Sequence, residues 1–471
     1  MRRALATMVT VLLLAGCTPA PVESRPLPAV TVQDRTNSDG TSAPVADPIY
    51  PAYGNPSLDV LHYGLALTWA PQPRTLTGTA TIRLRAVSAV PQIRLDFSAA
   101  YGIQSLSVDG AAATGRITDG DLVVDHPLAA GAVTTLGVSY AGTPATVPMP
   151  SHRGDVEPLG LTVTPDGDLW TMQEPYGAST WYPANDQPSD KALYDIAVTV
   201  PDGWSAIASG TPGPASGGTF HYSSTYPVAS YLTTLAVGRY TKTELTGPHG
   251  LPITLWTRTA SDAATLDSLG RLPEYVQWLE DRFGPYPFPS TGAVLVPSAS
   301  AMETQQMMTI GAPVLKDSAT ASDVLLHELA HQWFGDAVGP STWQDVWLNE
   351  GWATYLEQLH RAGSDPAAMD RWERAARSAD ADLRHRLGPP GHPKADSFAE
   401  NNVYLCPALM LHQLRKALGD REFFALGRAW SAAHTGTAQD RAAFVTFVNH
   451  RTGRDFTSLI DAWLDSPTTP S

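Results

Sequence analysis

From about Leu58 onward, apolar and polar positions alternate along the chain. Leu61, Tyr63, Leu65, Leu67 and Trp69 fall two residues apart, and Ala80, Ile82, Leu84 and Ala86 alternate with Thr81, Arg83 and Arg85. A period of two puts the apolar side chains on one face of a half-buried strand. Asp109-Gly110, Asp119-Gly120 and Asp166-Gly167 read as tight turns, the last between the runs Leu161–Val163 and Leu169–Thr171. Further strand-like runs lie at Leu193–Val200 and Tyr231–Val237. From Ala263 the spacing becomes helical, over Leu266–Phe283, Asp323–Phe334, Val346–Arg361, Met369–Leu387, Leu405–Leu418, Arg421–Trp430, Ala442–Arg451 and Thr457–Leu464. A short mixed stretch near 252–312 precedes most of these helices. The pattern predicts an α+β multidomain chain: an antiparallel β-rich N-terminal domain over 55–245, then a mostly helical domain over 246–471.

Composition narrows the function. Of 471 residues, 43% are hydrophobic, which supplies sizeable cores and excludes a disordered chain. The 31 Lys and Arg against 46 Asp and Glu give a net charge of −15, so no basic surface is available to neutralise nucleic-acid phosphates. Only two cysteines occur, Cys17 and Cys406, which rules out a disulfide framework; Cys406 reads as a small buried apolar residue. Arg2 and Arg3 precede the apolar run Ala4–Ala15, shorter than the roughly 20 residues a bilayer core requires. That run ends in Leu14-Ala15-Gly16-Cys17, which resembles the bacterial lipobox. Residues 1–17 are therefore expected to be a lipoprotein signal peptide, and residues 18–54 a Pro/Ser/Thr-rich tether. The body is expected outside the cytoplasm, held to the bacterial cell membrane only by a lipid on Cys17.

The chemistry centres on His327-Glu328-Leu329-Ala330-His331. On a helix, positions i and i+4 share a face, so both imidazoles reach one Zn²⁺ while Glu328 projects beside it to take the proton of a bound water. A catalytic site needs a third ligand and an open fourth position. Glu350, nineteen residues after His331 in Asn349-Glu350-Gly351-Trp352, is the candidate. With 13 histidines in the chain, chance produces such a pentad about 0.02 times. Ser322 is the expected N-cap of this helix and Gly335 its stop, and Thr354 is a candidate partner for a ligand histidine. The scattered tryptophans read as core, and His360, His385, His392 and His412 as surface or loop residues without ligand spacing.

The chain resembles the M1 (gluzincin) aminopeptidase family. His327-Glu328-Leu329-Ala330-His331-Gln332-Trp333-Phe334-Gly335-Asp336 with Trp347-Leu348-Asn349-Glu350-Gly351 is similar to the family's zinc signature. Phe283-Gly284-Pro285-Tyr286-Pro287-Phe288-Pro289 resembles the segment before its exopeptidase motif, which stands here as Ser300-Ala301-Met302-Glu303-Thr304. Gln173-Glu174-Pro175, Trp181-Tyr182-Pro183, Asp186-Gln187-Pro188 and Lys191-Ala192 resemble the end of its β domain, and Val403-Tyr404 stands at its catalytic tyrosine.

The resemblance implies a thermolysin-like zinc metallopeptidase domain with one Zn²⁺ per chain. It implies an aminopeptidase acting on peptides with a free N-terminal amine, which Glu303 and Glu174 would grip. Ala301 and Met302 would run extended beside the substrate, and Tyr404 would donate to the oxyanion. Ser300 and Thr304 depart from the family's Gly and Asn and bear on substrate preference. Because the chain ends soon after Tyr404, a more open cleft is expected. The alternatives are a zinc endopeptidase and a non-catalytic peptide-binding lipoprotein that keeps the fold.

Overall fold

The computed structural model describes residues 40–154, 157–258, 261 and 263–471. The signal peptide, Cys17 and the first part of the expected tether lie outside the described residues.

In the N-terminal domain, Thr75–Ala86 alternates buried and half-buried positions without a break, as period two requires. It pairs antiparallel with Leu58–Ala70, from Leu58↔Ala86 to Ala70↔Thr75. These two strands sit at the middle of an eight-stranded sheet. The expectation of a purely antiparallel domain fails at one pair: Leu58–Ala70 runs parallel to Lys191–Thr199, in register His62↔Leu193. Parallel pairing needs a long crossover, and the chain supplies one that carries a three-stranded sheet (Ile93–Asp96, Gly115–Thr118, Asp121–Val124) and half of a four-stranded one. That second sheet orders Ser205–Ala208, Leu235–Gly238, Leu169–Met172 and Gly160–Val163. Asp109-Gly110 and Asp119-Gly120 both have positive φ at each residue, the conformation of type I′ turns. Trp69, Tyr63, Tyr140, Trp181, Tyr182 and Tyr194 fill the core between the sheets.

The expected tether ends early. From Gly40 the chain is packed against the β domain and beyond it: Ser42 Oγ donates to Asp59 at 2.8 Å and to Asp190 at 3.0 Å. Asp47 accepts from the Ile49, Tyr50 and Trp343 amides. Buried polar pairing, rather than an apolar period, orders this segment, which is why composition alone assigned it to the tether.

The boundary expected between residues 245 and 246 falls within the strand Tyr240–Thr246, which pairs with the residues after it. Tyr240–Thr246 pairs with Pro252–Arg258 and starts a five-stranded sheet that continues through Thr291–Val296 and Met308–Gly311 to Ala301–Met302 at its edge. The helices are α1 (Ala263–Gly270), α2 (Leu272–Phe283), α3 (Ser318–His331), α4 (Trp347–Ala362), α5 (Pro366–Leu387), α6 (Asn402–Leu418), α7 (Asp420–His434), α8 (Arg441–Thr452) and α9 (Thr457–Asp465). The run expected as one helix over Leu266–Phe283 breaks at Arg271, because Pro273 in the first turn of α2 starts a new helix. Trp333, Trp347, Trp352 and Trp463 are buried in this domain's core. His412 is buried too, bonded to the Tyr355 hydroxyl at 3.0 Å, so it is neither a surface nor a loop residue. Among the described residues no helix is long and apolar enough to cross a membrane.

Candidate active site

Helix α3 is amphipathic in an unusual sense. Ala321, Leu325, Leu326, Leu329 and Ala330 are buried in the core, while Thr320, Asp323, Val324, His327, Glu328 and His331 line a cleft of about 460 Å³. The second set follows the i, i+3, i+4, i+7 spacing of a single helix face. The N-cap is Asp317, whose carboxylate accepts from Thr320 N at 2.9 Å, not Ser322. Both are good caps, but the small residues 318–321 extend the helix by a turn. The helix ends at His331, and Gln332–Asp336 form a wider turn in which Gly335 adopts φ 145°. A Cβ at Gly335 would lie 3.2 Å from His331 Nδ1, so glycine is needed there for conformation and space alike. In the same turn Phe334 O lies 3.1 Å from His331 Nδ1. A carbonyl can only accept, so Nδ1 carries the proton and Nε2 is left as an electron-pair donor.

Helix α4 brings Glu350 to α3. Glu350 Oε2 lies 3.3 Å from His327 Nε2 and 3.5 Å from His331 Nε2. Donors on a tetrahedral ion with bonds of about 2.0–2.1 Å stand about 3.4 Å apart, so these three atoms fit Zn²⁺ in both chemistry and spacing. Burial pushes Glu350 up, but His331 and His327 outweigh it and hold the carboxyl down at about 2. A Cβ on Gly351 would meet Pro407 of α6 at 2.8 Å, so this glycine lets α4 and α6 approach closely. Cys406, beside that contact, is fully buried.

Glu328 lies against the same cluster, and burial pushes it up to about 7 against the pull of His327, with Glu303 adding to the rise. Glu303, 3% exposed, directly follows the edge strand Ala301–Met302. Its backbone carbonyl accepts from Gln332 Nε2 at 2.8 Å, so the turn that follows α3 positions this segment. Glu174 comes from the β domain, and Glu174, Glu303 and Glu350 have carboxylate oxygens within 4.8 Å of one another. Gln173 anchors the Glu174 segment through bonds of 2.7 Å to the Ser230 and Thr233 carbonyls, while Asp186 accepts from the Gly177 and Ser179 amides. Glu174 Oε1 and Glu303 Oε1 are buried without a hydrogen-bond partner among the described residues. Burial and the facing Glu303 push Glu174 well above the usual carboxylate range. Such a cluster is unfavourable unless cations enter it.

Tyr404, in the first turn of α6, stacks at 6.0 Å on the His327 ring. Burial pushes its phenol well up, opposed by the Arg153 guanidinium, whose Nη1 donates to the hydroxyl at 2.8 Å. Ser300 lines the cleft, but Thr304 turns its hydroxyl toward Met307 O and Thr309 Oγ1 and does not. Thr354 does not reach a ligand histidine. Its hydroxyl has no partner among the described residues, and Glu357 stands 3.6 Å from His327 Nδ1 instead. Glu357 lies seven residues after Glu350, two turns along α4, and its longer side chain makes the reach that Thr354 does not. Arg153 and Glu357 lie outside every motif read in the sequence, and Gln332 lies inside the zinc signature without a role of its own there, because each acts through a long-range contact.

The Peptidase family M1 domain matches residues 268–463. The chain is 29% identical to Aminopeptidase N of Streptomyces lividans over 63% of its own length and 38% of that protein's. It is 30% identical to human Aminopeptidase B over 38% of its own length and 28% of that protein's. The chain thus spans less than two-fifths of either curated relative. An M1 zinc metallopeptidase of Deinococcus radiodurans, solved as a variant bound to a Tyr-Ser-Ala substrate, is 30% identical with a TM-score of 0.80. That similarity covers 91% of this chain and 99% of that one.

Proposed function

Because the chain belongs to peptidase family M1, we propose that it is a zinc-dependent aminopeptidase that removes N-terminal residues from peptides, with one Zn²⁺ held by His327, His331 and Glu350. The observation that carries this reading is the position of Glu174 and Glu303, with unpartnered buried oxygens, beside that donor set. Zinc, when bound, supplies a Lewis acid that acidifies water and polarises the scissile carbonyl.

The chain's own groups do the rest. A substrate ammonium, which ordinarily titrates at about 7.7–8.0, offers three donors to the waiting carboxylate oxygens and neutralises their mutual repulsion. Holding the amine fixes which peptide bond lies over the ligand triad, so one residue is removed at a time. Ala301–Met302 is an edge strand, and its open side gives an extended peptide backbone a partner. Glu328 takes a proton from the attacking water and passes it to the leaving amine. Tyr404 donates its hydroxyl to the carbonyl oxygen as negative charge grows there.

Chelation tests the metal requirement. Excess 1,10-phenanthroline is expected to abolish hydrolysis of aminoacyl fluorogenic substrates, and one equivalent of Zn²⁺ to restore it; turnover that survives complete metal removal would sink the reading. We also propose that the protein is held outside the cytoplasm by a lipid on Cys17. Support comes from Arg2-Arg3, the apolar run and Leu14-Ala15-Gly16-Cys17. Labelled palmitate is expected to enter the expressed full-length chain and to be absent from Cys17→Ser; equal labelling of both would exclude acylation at Cys17.

A further inference from the structure

We propose that Arg153, contributed by the β domain, is a positioning residue for Tyr404: it occupies the phenol oxygen as acceptor and so directs the hydroxyl proton into the cleft. The inference rests on the aminopeptidase reading for its consequence, though not for its geometry.

Arg153 Nη1 lies 2.8 Å from Tyr404 Oη and 3.2 Å from Ala399 O. A guanidinium has donors only, so in this contact the tyrosine oxygen must accept. A hydroxyl that accepts from Arg153 retains its own proton to give elsewhere. Tyr404 lines the cleft, so the proton left free by that contact is available there. Without Arg153 the hydroxyl is free to rotate, and the Ala399 carbonyl also loses its donor. The guanidinium lies 5.4 Å from the centre of the Tyr404 ring and so restrains it as well.

Arg153 is itself delivered by a set of contacts between domains. Phe398 N donates to Pro150 O at 2.8 Å, His152 N to Glu400 Oε1 at 2.8 Å, and Ser151 Oγ to the same oxygen at 3.2 Å. Segment 150–153 of the β domain is thereby stitched to the stretch that opens α6 and carries Tyr404. A hydroxyl that must donate to a developing oxyanion is most effective when it is already oriented before the charge appears. The β domain therefore supports the oxyanion donor in addition to supplying Glu174.

The test compares Arg153→Met, Arg153→Lys, Tyr404→Phe and the Arg153→Met/Tyr404→Phe double variant in kcat and KM, with melting curves for each. Arg153→Met is expected to lower kcat about 10–100-fold with KM nearly unchanged. Arg153→Lys should recover part of the loss, since an ammonium donates but lacks the planar fork. In the Tyr404→Phe background, Arg153→Met should change kcat less than about twofold, because there is no hydroxyl left to direct. An equal loss in both backgrounds, or a rise in KM without a fall in kcat, overturns the proposal. A second readout needs no turnover. The Tyr404 ¹³Cζ resonance, identified by its absence in Tyr404→Phe, should shift in folded Arg153→Met protein, and an unmoved resonance overturns the proposal too. Failure of the wild-type protein to cleave any aminoacyl substrate would instead count against the aminopeptidase reading, with the resonance still deciding the role of Arg153.

Discussion

Replacing Glu328 by Gln is expected to lower kcat on aminoacyl substrates by about 10³–10⁴-fold while zinc content and melting temperature stay at wild-type values. The amide matches the carboxylate in shape, so the packing around this buried side chain persists. It cannot take a proton from water or return one to the leaving amine. Zinc should stay because Glu328 is not one of the three donors: His327 Nε2 and His331 Nε2 stand 3.3 and 3.5 Å from Glu350 Oε2. Metal analysis beside steady-state kinetics checks both halves. Retention of more than about a tenth of wild-type kcat with zinc bound would remove Glu328 from the proton-transfer role.

Glu303→Ala is expected to lower kcat/KM on free-amine substrates by about 10²–10³-fold, the scale measured for truncating one partner of a buried charge pair. Glu303 is nearly inaccessible and one of its oxygens has no partner among the described residues. An ammonium placed there is therefore desolvated, and its attraction to the carboxylate is only weakly screened. Glu303→Gln should fall between the two, keeping an acceptor without the charge. Kinetics on a single aminoacyl substrate, with zinc measured in parallel, distinguishes this loss from damage to the triad. A Glu303→Ala enzyme with unchanged kcat/KM would show that the amine is bound elsewhere.

How much of this was legible in the sequence depended on the range of the interaction. The hairpins of the β domain and the type I′ turns at Asp109-Gly110 and Asp119-Gly120 are local, and period and turn chemistry located them. The i, i+4 spacing of His327 and His331 likewise determines a shared helix face. The ordering of residues 40–54 was hidden because it rests on Ser42 and Asp47, whose partners lie as far away as Asp190 and Trp343. The parallel pairing of Leu58–Ala70 with Lys191–Thr199 was hidden for the same reason, since an apolar period shows which face is buried and not which strand comes alongside. At the site, Gln332 bonding the Glu303 carbonyl and Arg153 bonding Tyr404 both join segments far apart in sequence. Side-chain chemistry alone favours Thr354 as a histidine partner and Ser322 as an N-cap. The reach of Glu357 and the earlier cap at Asp317 decided otherwise.

In the proposed function, Glu174 and Glu303 hold a free substrate amine over the His327–His331–Glu350 triad. The most direct measurement compares hydrolysis of matched free and N-acetylated aminoacyl fluorogenic substrates by purified protein of defined zinc content. Acetylation removes the positive charge and adds bulk where the two carboxylates converge, so cleavage is expected for the free amines only. Cleavage of the acetylated series at comparable kcat/KM would contradict the claim and point to an endopeptidase.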